Sequence, residues 1–490
     1  MTIMETLYVA CDLGPERGRI ALGNLNKGKL RLSDIRRFPN EPTKDGDDLH
    51  WDIPSLYQHM IEGLTEVGRS YETVNSIGCS SWGHDYMLFD SSGALISPTF
   101  SQPTPRAKAS MDDVLSRVTC ETIFDETGFQ PAVQSTLFQL GAEKSRRLSK
   151  ADRLLPVADG FNYLLSGEAR VEASIASTTQ LFNPFQRAWS KRLVGALRLP
   201  SRIFPPVVSS GTVLGPMRKD LAEKTKLEDV DIISSCSHEL ASTIVGIPAT
   251  PDVNWAFLRA GTWSFMGVEL PDPVINATAR ELDFANESGY GGTVRFMKQT
   301  AGLWMLEECR RAWVGGEQDL DLSVMIHLAA QSAPFESLIN PMDLRFLTPG
   351  DMPLKIKEFC KETGQAVPRK PGSIIRCVLE SVALYYRKTL REIEEVTDRR
   401  IERLYLLGGG SNQLFNSFIA NALQIPVVIV PEEVTVIGNM LVQGIALKHI
   451  ESLEHARQIV RDSFKFETLH PHAEVWNGAF QRLEQFTGTV

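Results

Sequence analysis

The sequence predicts an α/β protein built from two domains, and three observations carry that expectation. A chain of 490 residues is too long for one compact core. A strand, a turn and a second strand open the chain, and the same pattern recurs after Pro251. Apolar runs of strand length stop at polar or glycine-rich junctions that lead into helical spacing, as at Ser234-Ser235-Cys236-Ser237-His238-Glu239 and at Leu407-Gly408-Gly409-Gly410-Ser411-Asn412. No low-complexity segment or long polar linker interrupts the chain, so the halves are expected to pack together around a cleft.

The elements follow in order. Residues 7–11 are apolar, Asp12-Leu13-Gly14 ends that run and residues 19–23 resume it. Asn26-Lys27-Gly28 then reads as a hairpin turn before residues 30–38, which predicts three consecutive antiparallel strands. Leu56, Met60, Leu64 and Val67 share one face of a helix over 54–67. Strands are expected at 76–80 and 86–89, the second ended by Asp90-Ser91-Ser92-Gly93. Helical pieces follow near 138–148, 160–165 and 193–197, with prolines 200, 205 and 206 marking loops. The run 230–233 is a strand candidate that leads through His238-Glu239 into a short helix over 240–246. In the second half, strands are read at 255–258, 263–268, 404–407 and 426–430. One buried helical turn is read at 303–306, and helices at 374–396, with Val378, Val382, Tyr385 and Leu390 apolar, and at 414–423.

Composition narrows the function. A formal net charge of −9 and a pI near 5.6 supply no general field for polyanions, which argues against nucleic acid or an acidic membrane as partner. Any phosphate must be held by local groups. The seven cysteines form no C-x-x-C and no metal-ligand spacing, so a reducing cytoplasm is the expected setting. No signal peptide is read at the start and no apolar run approaches the roughly 20 residues of a membrane span.

Five motifs could carry chemistry, and each has a bland alternative. The glycines at 408–410 let a backbone approach a ligand ahead of a helix, yet a triplet alone is commonly a plain turn. Gly261-Thr262 offers a tight turn with a hydroxyl and an amide for a phosphate oxygen, or is simply a turn beside a core Trp. Asp12, at the end of the first strand, can hold a hydrated metal ion, and Arg17 and Arg19 can meet phosphate; against this, Pro15 lacks an N–H and Glu16 repels an anion. Trp82-Gly83-His84-Asp85 suits a sugar, although Trp82 alone is a good core residue. Glu239 can accept a proton from a hydroxyl, while a lone His-Glu pair is more often a helix cap.

Taken together, these residues resemble the FGGY carbohydrate kinases, most closely their rhamnulokinase branch. The resemblance runs from Asp12 to about Asn439. Its most specific parts are the segment from Gly261 through Gly267, Asn286-Glu287-Ser288-Gly289, Gly302-Leu303-Trp304, Asn340-Pro341-Met342-Asp343 and Gly408-Gly409-Gly410 with Asn412. It implies a two-domain α/β fold of the actin and hexokinase (ribonuclease H-like) type with a central cleft. Residues 1–245 would form the sugar side and 246–490 the nucleotide side. The implied activity is ATP-dependent phosphorylation of a small sugar or polyol, with ATP and Mg2+ as cofactors. Carried over by motif, Glu239 would be the catalytic base and Trp82, Gly83, Asp85 and His238 would bind the sugar. Arg17, Gly261, Thr262, Gly409, Gly410 and Asn412 would bind the nucleotide, and Asp12 the metal shell. A homodimer is left open. The departures lie on the acceptor side: Glu239 stands where the family has Asp, Ser80-Ser81 where Asp-Thr is usual, and Pro15-Glu16-Arg17 where small hydroxyl residues are usual. They motivate a rival reading, a non-catalytic sugar- or nucleotide-binding relative acting as a sensor or partner protein.

Overall fold

The computed structural model describes residues 6–102, 104–143, 145–313, 321–408, 412–472 and 474–488. They form two compact units, neither a single stretch of chain. The first comprises Met1–Thr250, Glu269–Phe296 and Glu433–Lys465, and the second Pro251–Val268, Met297–Glu432 and Phe466–Val490.

The first unit is built on a six-stranded sheet. Strands Thr6–Leu13, Arg17–Asn26 and Lys29–Pro39 form the expected antiparallel meander. On the other side of Thr6–Leu13, strand Ser76–Ser81 and then Asp231–Ser234 run parallel to it, and Thr212–Pro216 closes that edge antiparallel. The strand Tyr86–Phe89 exists but pairs with Arg153–Pro156 in a separate ribbon. One face is covered by helix Ile53–Ser70, whose buried Leu56, Met60, Leu64 and Val67 are the stripe that the sequence displays. Its Gly63 admits Ile20, since a Cβ there would lie 2.7 Å from the Ile20 side chain.

The opposite face is covered by helix Val434–Ala446, which the sequence pattern does not disclose. Tyr8, Ala10, Ala21, Val436 and Met440 form its apolar contact with the sheet. Polar groups fix the docking: Gln443 Nε2 donates to the Val9 carbonyl at 3.0 Å, Ser76 Oγ donates to Gln443 Oε1 at 2.7 Å, and Asn439 Nδ2 donates to the Gly78 carbonyl at 3.3 Å. The same helix packs closely on Glu239–Val245, where a Cβ on Gly438 would overlap the Ser242 carbonyl oxygen.

The second unit repeats the theme. Strands Trp255–Arg259 and Ser264–Leu270 pair antiparallel, with Phe257 opposite Gly267. Strand Arg403–Leu407 runs parallel to Trp255–Arg259, followed by parallel Val427–Val430 and antiparallel Thr468–Leu469. Its longest helix, Pro371–Thr397, buries Val378, Val382 and Leu390, and helix Gln413–Leu423 packs beside it. The expected single turn near 303–306 extends to a helix over Trp304–Trp313, because Glu308 and Cys309 are buried along with Met305 and Leu306. The expected helix over 138–148 is instead two short helices, Thr136–Gly141 and Ser145–Lys150. Among the described residues, no helix is long and apolar enough to cross a membrane.

Candidate active site

Parallel pairing brings three chain ends to one edge of the first sheet. Asp12 stands opposite Ser80, and Ser81 bridges to His238, so the ends of Thr6–Leu13, Ser76–Ser81 and Asp231–Ser234 lie side by side. Asp12 Oδ1 accepts from Ser80 Oγ at 2.9 Å, and Ser81 N donates to the Ser237 carbonyl at 2.9 Å. The hairpin after Asp12 is closed by Gly14 N donating to the Arg17 carbonyl. It is tied from outside by Asn40, whose side chain donates to the Gly14 carbonyl at 2.7 Å. Arg17 is exposed at this tip, and Arg19 pairs with Asp34.

The loop ahead of Glu239 is gripped by two buried carboxyl groups that the sequence analysis did not single out. Ser237 Oγ donates to Asp159 Oδ1 at 2.6 Å and Ser237 N to Glu172 Oε2 at 3.0 Å. Glu172 also accepts from Ser174 N, Ser174 Oγ and Ser210 Oγ, and its own amide donates to Asp159 Oδ2 at 2.8 Å. His238 N donates to Ser174 Oγ at 3.1 Å. Burial pushes the Asp159 carboxyl up to about 7; the Ser237 hydrogen bond opposes this and the neighbouring Glu172 charge reinforces it. This framework fixes Glu239, half-buried, as the first residue of helix Glu239–Val245.

Beside it lies the loop over 82–85. Trp82 packs tilted against Trp51 with ring centroids 4.3 Å apart, and both indole N–H groups donate to Asp85 Oδ2, at 2.9 and 2.6 Å. Gln139 Nε2 reaches the other oxygen at 3.1 Å. Burial raises the Asp85 carboxyl to about 6, with these three donors pulling the other way. Both oxygens of Asp85 therefore serve the loop itself. Gly83 lies against Thr178, where a Cβ would come within 2.7 Å of Oγ1.

His238 stands in a buried ion cluster supplied by the segment Glu269–Phe296. Arg295, fully buried, places NH1 3.0 Å from His238 Nδ1 and NH2 2.7 Å from Glu287 Oε2. Burial alone would raise the Glu287 carboxyl, but the Arg295 guanidinium, the largest opposing charge, holds it down at about 2. An arginine inside the otherwise apolar run Val294-Arg295-Phe296 was the available signal for this cluster, since a buried guanidinium requires partners.

The nucleotide-side residues lie in the second unit. The hairpin at Gly261-Thr262 turns its carbonyls inward, accepting from Leu303 N at 2.9 Å and Trp304 N at 3.0 Å. Gly302 is required there, because a Cβ would fall within contact distance of both carbonyl oxygens. Thr262 is exposed, and its hydroxyl makes no hydrogen bond among the described residues. Asn412 caps helix Gln413–Leu423, its Oδ1 accepting from Phe415 N at 3.0 Å, and its Nδ2 is buried without a partner among the described residues. A free hydroxyl on a tight turn and an orphaned amide fit a ligand bearing phosphate and polar base groups. Gly409 and Gly410 lie outside the described residues.

Residues 7–246 match the N-terminal domain of the FGGY family of carbohydrate kinases and residues 256–447 match its C-terminal domain. The chain belongs to this family. It is 37% identical over 482 residues to the rhamnulokinase of Bacteroides thetaiotaomicron, covering 97% of this chain and 98% of that protein. It is 31% identical over 466 residues to the rhamnulokinase of Bacillus subtilis, covering 95% of each. Among solved structures, xylulose kinase from Lactobacillus acidophilus superposes with a TM-score of 0.83 at 14% identity, covering 98% of this chain and 97% of that one. Gluconate kinase from the same organism gives 0.82 at 15%, covering 99% and 97%. The fold is thus the two-domain α/β architecture of FGGY kinases, of the actin and hexokinase type. As an FGGY kinase the chain catalyses ATP-dependent phosphorylation of a sugar hydroxyl. The comparisons bring no support to a non-catalytic relative.

Proposed function

We propose that the acceptor is a ketose of the rhamnulose type, bound at the edge of the first sheet, and that Glu239 is its proton acceptor. The observation that carries this reading is the convergence of Asp12, Ser81 and His238-Glu239 at one edge, with Glu239 set by a loop that is bonded through Ser237 and the His238 amide. As the sugar oxygen forms its bond to the γ-phosphorus and the bond to the ADP oxygen breaks, the hydroxyl proton passes to the Glu239 carboxylate. Glu differs from Asp here in reach, by one methylene, far more than in basicity. Trp82 offers the sugar its ring, Gly83 the close backbone approach, and Asp85 acts by holding both in place. His238 contributes a polar contact. In the second unit Gly261 and Thr262 would meet phosphate and Asn412 the adenosine, and Arg17 on the first hairpin is a further phosphate-binding candidate. Asp12, with one oxygen on Ser80, is a single carboxylate of the kind that holds a hydrated Mg2+. When bound, that ion neutralises charge on the transferring phosphate.

The deciding experiment is a coupled ADP-release assay with L-rhamnulose and Mg-ATP. Glu239→Gln should lower kcat at least about 100-fold, the scale at which a positioned base acts, while binding of an ATP analogue is unchanged. Retention of more than a tenth of the wild-type rate would exclude Glu239 as the base.

A further inference from the structure

The short helical stretch Ala173–Ala176 and Ser177–Thr179 touches all three loops of the acceptor side. Ser174 Oγ receives His238 N, Ser177 Oγ donates to none of these but receives Ser288 N at 3.0 Å, and Thr178 receives His84 twice. His84 is the residue at this junction to which no role has yet been given. Its backbone is left-handed, with φ at 73°, uncommon for a residue with a side chain. It is held there by its own N–H on Thr178 Oγ1 at 3.2 Å and by Thr136 and Gln139 donating to its carbonyl at 2.5 and 2.9 Å.

The two histidines carry opposite tautomers. His84 Nδ1 lies 2.8 Å from the Thr178 carbonyl oxygen, which can only accept, so Nδ1 bears the proton and Nε2 presents a lone pair. Burial favours the neutral ring, although Glu287 and the Thr178 bond pull toward the charged form. His238 Nδ1 receives the guanidinium N–H of Arg295, which can only donate, so its proton is on Nε2. Glu287 Oε2 is 3.3 Å from the same nitrogen without hydrogen-bond alignment and takes the charge of Arg295 instead. Neither Nε2 has a hydrogen-bond partner among the described residues, and neither is sealed from solvent. Their loops are anchored on the same stretch, His84 N on Thr178 Oγ1 and His238 N on Ser174 Oγ. One open acceptor and one open donor, on loops held by the same short stretch, are complementary to two oxygens of a polyol, one hydroxyl donating and the other accepting.

We propose that His84 is a specificity-determining residue of the acceptor site, its Nε2 accepting from one sugar hydroxyl while His238 Nε2–H donates to another sugar oxygen. This rests on the acceptor reading above. Sites that hydrogen-bond a substrate hydroxyl discriminate strongly against analogues lacking it, because the protein group is then left unpaired.

The test combines variants with deoxy sugars. Calorimetric Kd and steady-state KM are measured for L-rhamnulose and its 3-deoxy and 4-deoxy analogues in wild type, His84→Ala and His84→Gln, the last returning an acceptor near the Nε2 position. Expected are a 10- to 100-fold weaker Kd and higher KM for His84→Ala, substantial recovery in His84→Gln, and unchanged affinity for an ATP analogue, which also certifies the fold. One deoxy analogue should lose as much in wild type and lose nothing further in His84→Ala, the non-additivity that marks a direct contact. The proposal is overturned if His84→Ala binds within twofold of wild type, if every analogue loses equally in both proteins, or if kcat collapses at constant KM, which would make His84 a proton carrier. If wild type binds L-rhamnulose without phosphorylating it and His84→Ala loses that binding, the kinase reading falls and the His84 contact stands. If wild type neither binds nor phosphorylates it, both fall.

Discussion

Asp159 sits within a fully buried network, and its carboxyl keeps its proton to about 7 in the folded protein while an unfolded Asp titrates near 4. Between those values the native state binds the extra proton, so this group makes stability fall as pH rises across the interval. Glu287, held at about 2, acts with the opposite sign: the stability its ion pair with Arg295 contributes is lost as pH falls from about 4 toward 2. Asp159→Asn removes the first slope and keeps an acceptor and a donor for Glu172 N and Ser237 Oγ. Its melting temperature relative to wild type should therefore rise between pH 4.5 and 7.5; parallel curves would show that Asp159 does not titrate there. Little of this was legible in the sequence. Glu239 could be proposed because it stands at a strand-to-helix junction inside a recognisable motif. Asp159 and Glu172 read as ordinary acids near helix starts, and their significance lies in contacts with Ser237, 78 and 65 residues away.

At the scale of elements, legibility followed periodicity. The meander over residues 6–39 and helix Ile53–Ser70 show alternation or one apolar face, and both were read. Helix Val434–Ala446 is buried along most of its length, from Val434 through Gly444 with few breaks, so it has no polar face to reveal a 3.6-residue period. Its contact with Glu239–Val245 depends on Gly438. Gly438→Ala would force a methyl into the Ser242 carbonyl and should destabilise the protein by about 1–3 kcal/mol, the usual cost of overpacking. Because the shifted helix begins with Glu239, kcat should fall as well. Urea denaturation and turnover measured together check this; an unchanged midpoint would mean that the two helices separate without cost.

Across the whole molecule, the acceptor residues belong to one compact unit and the turn and cap assigned to nucleotide belong to the other. Ligands should then leave distinct footprints in hydrogen exchange. L-rhamnulose should protect 80–85, 172–178, 234–239 and 286–288, and a non-hydrolysable ATP analogue 260–263, 302–304 and 412–415. Protection of the second set by sugar alone would contradict the assignment. Two units were legible from length and from the recurring strand-turn-strand pattern. That Glu269–Phe296 and Glu433–Lys465 join the first unit was not, because nothing in local composition records which distant surface a segment will cover.

The docking of Val434–Ala446 on the first sheet also sets an order of events during synthesis. The strands carrying Tyr8, Ala10 and Ala21 leave the ribosome early, yet the apolar residues that cover them, Val436 and Met440, are made some 400 residues later. At about 5–20 residues per second, that sheet face waits on the order of tens of seconds for its cover. During that wait a nascent chain of this kinase displays an apolar surface, headed by Tyr8, of the sort that holdase chaperones bind.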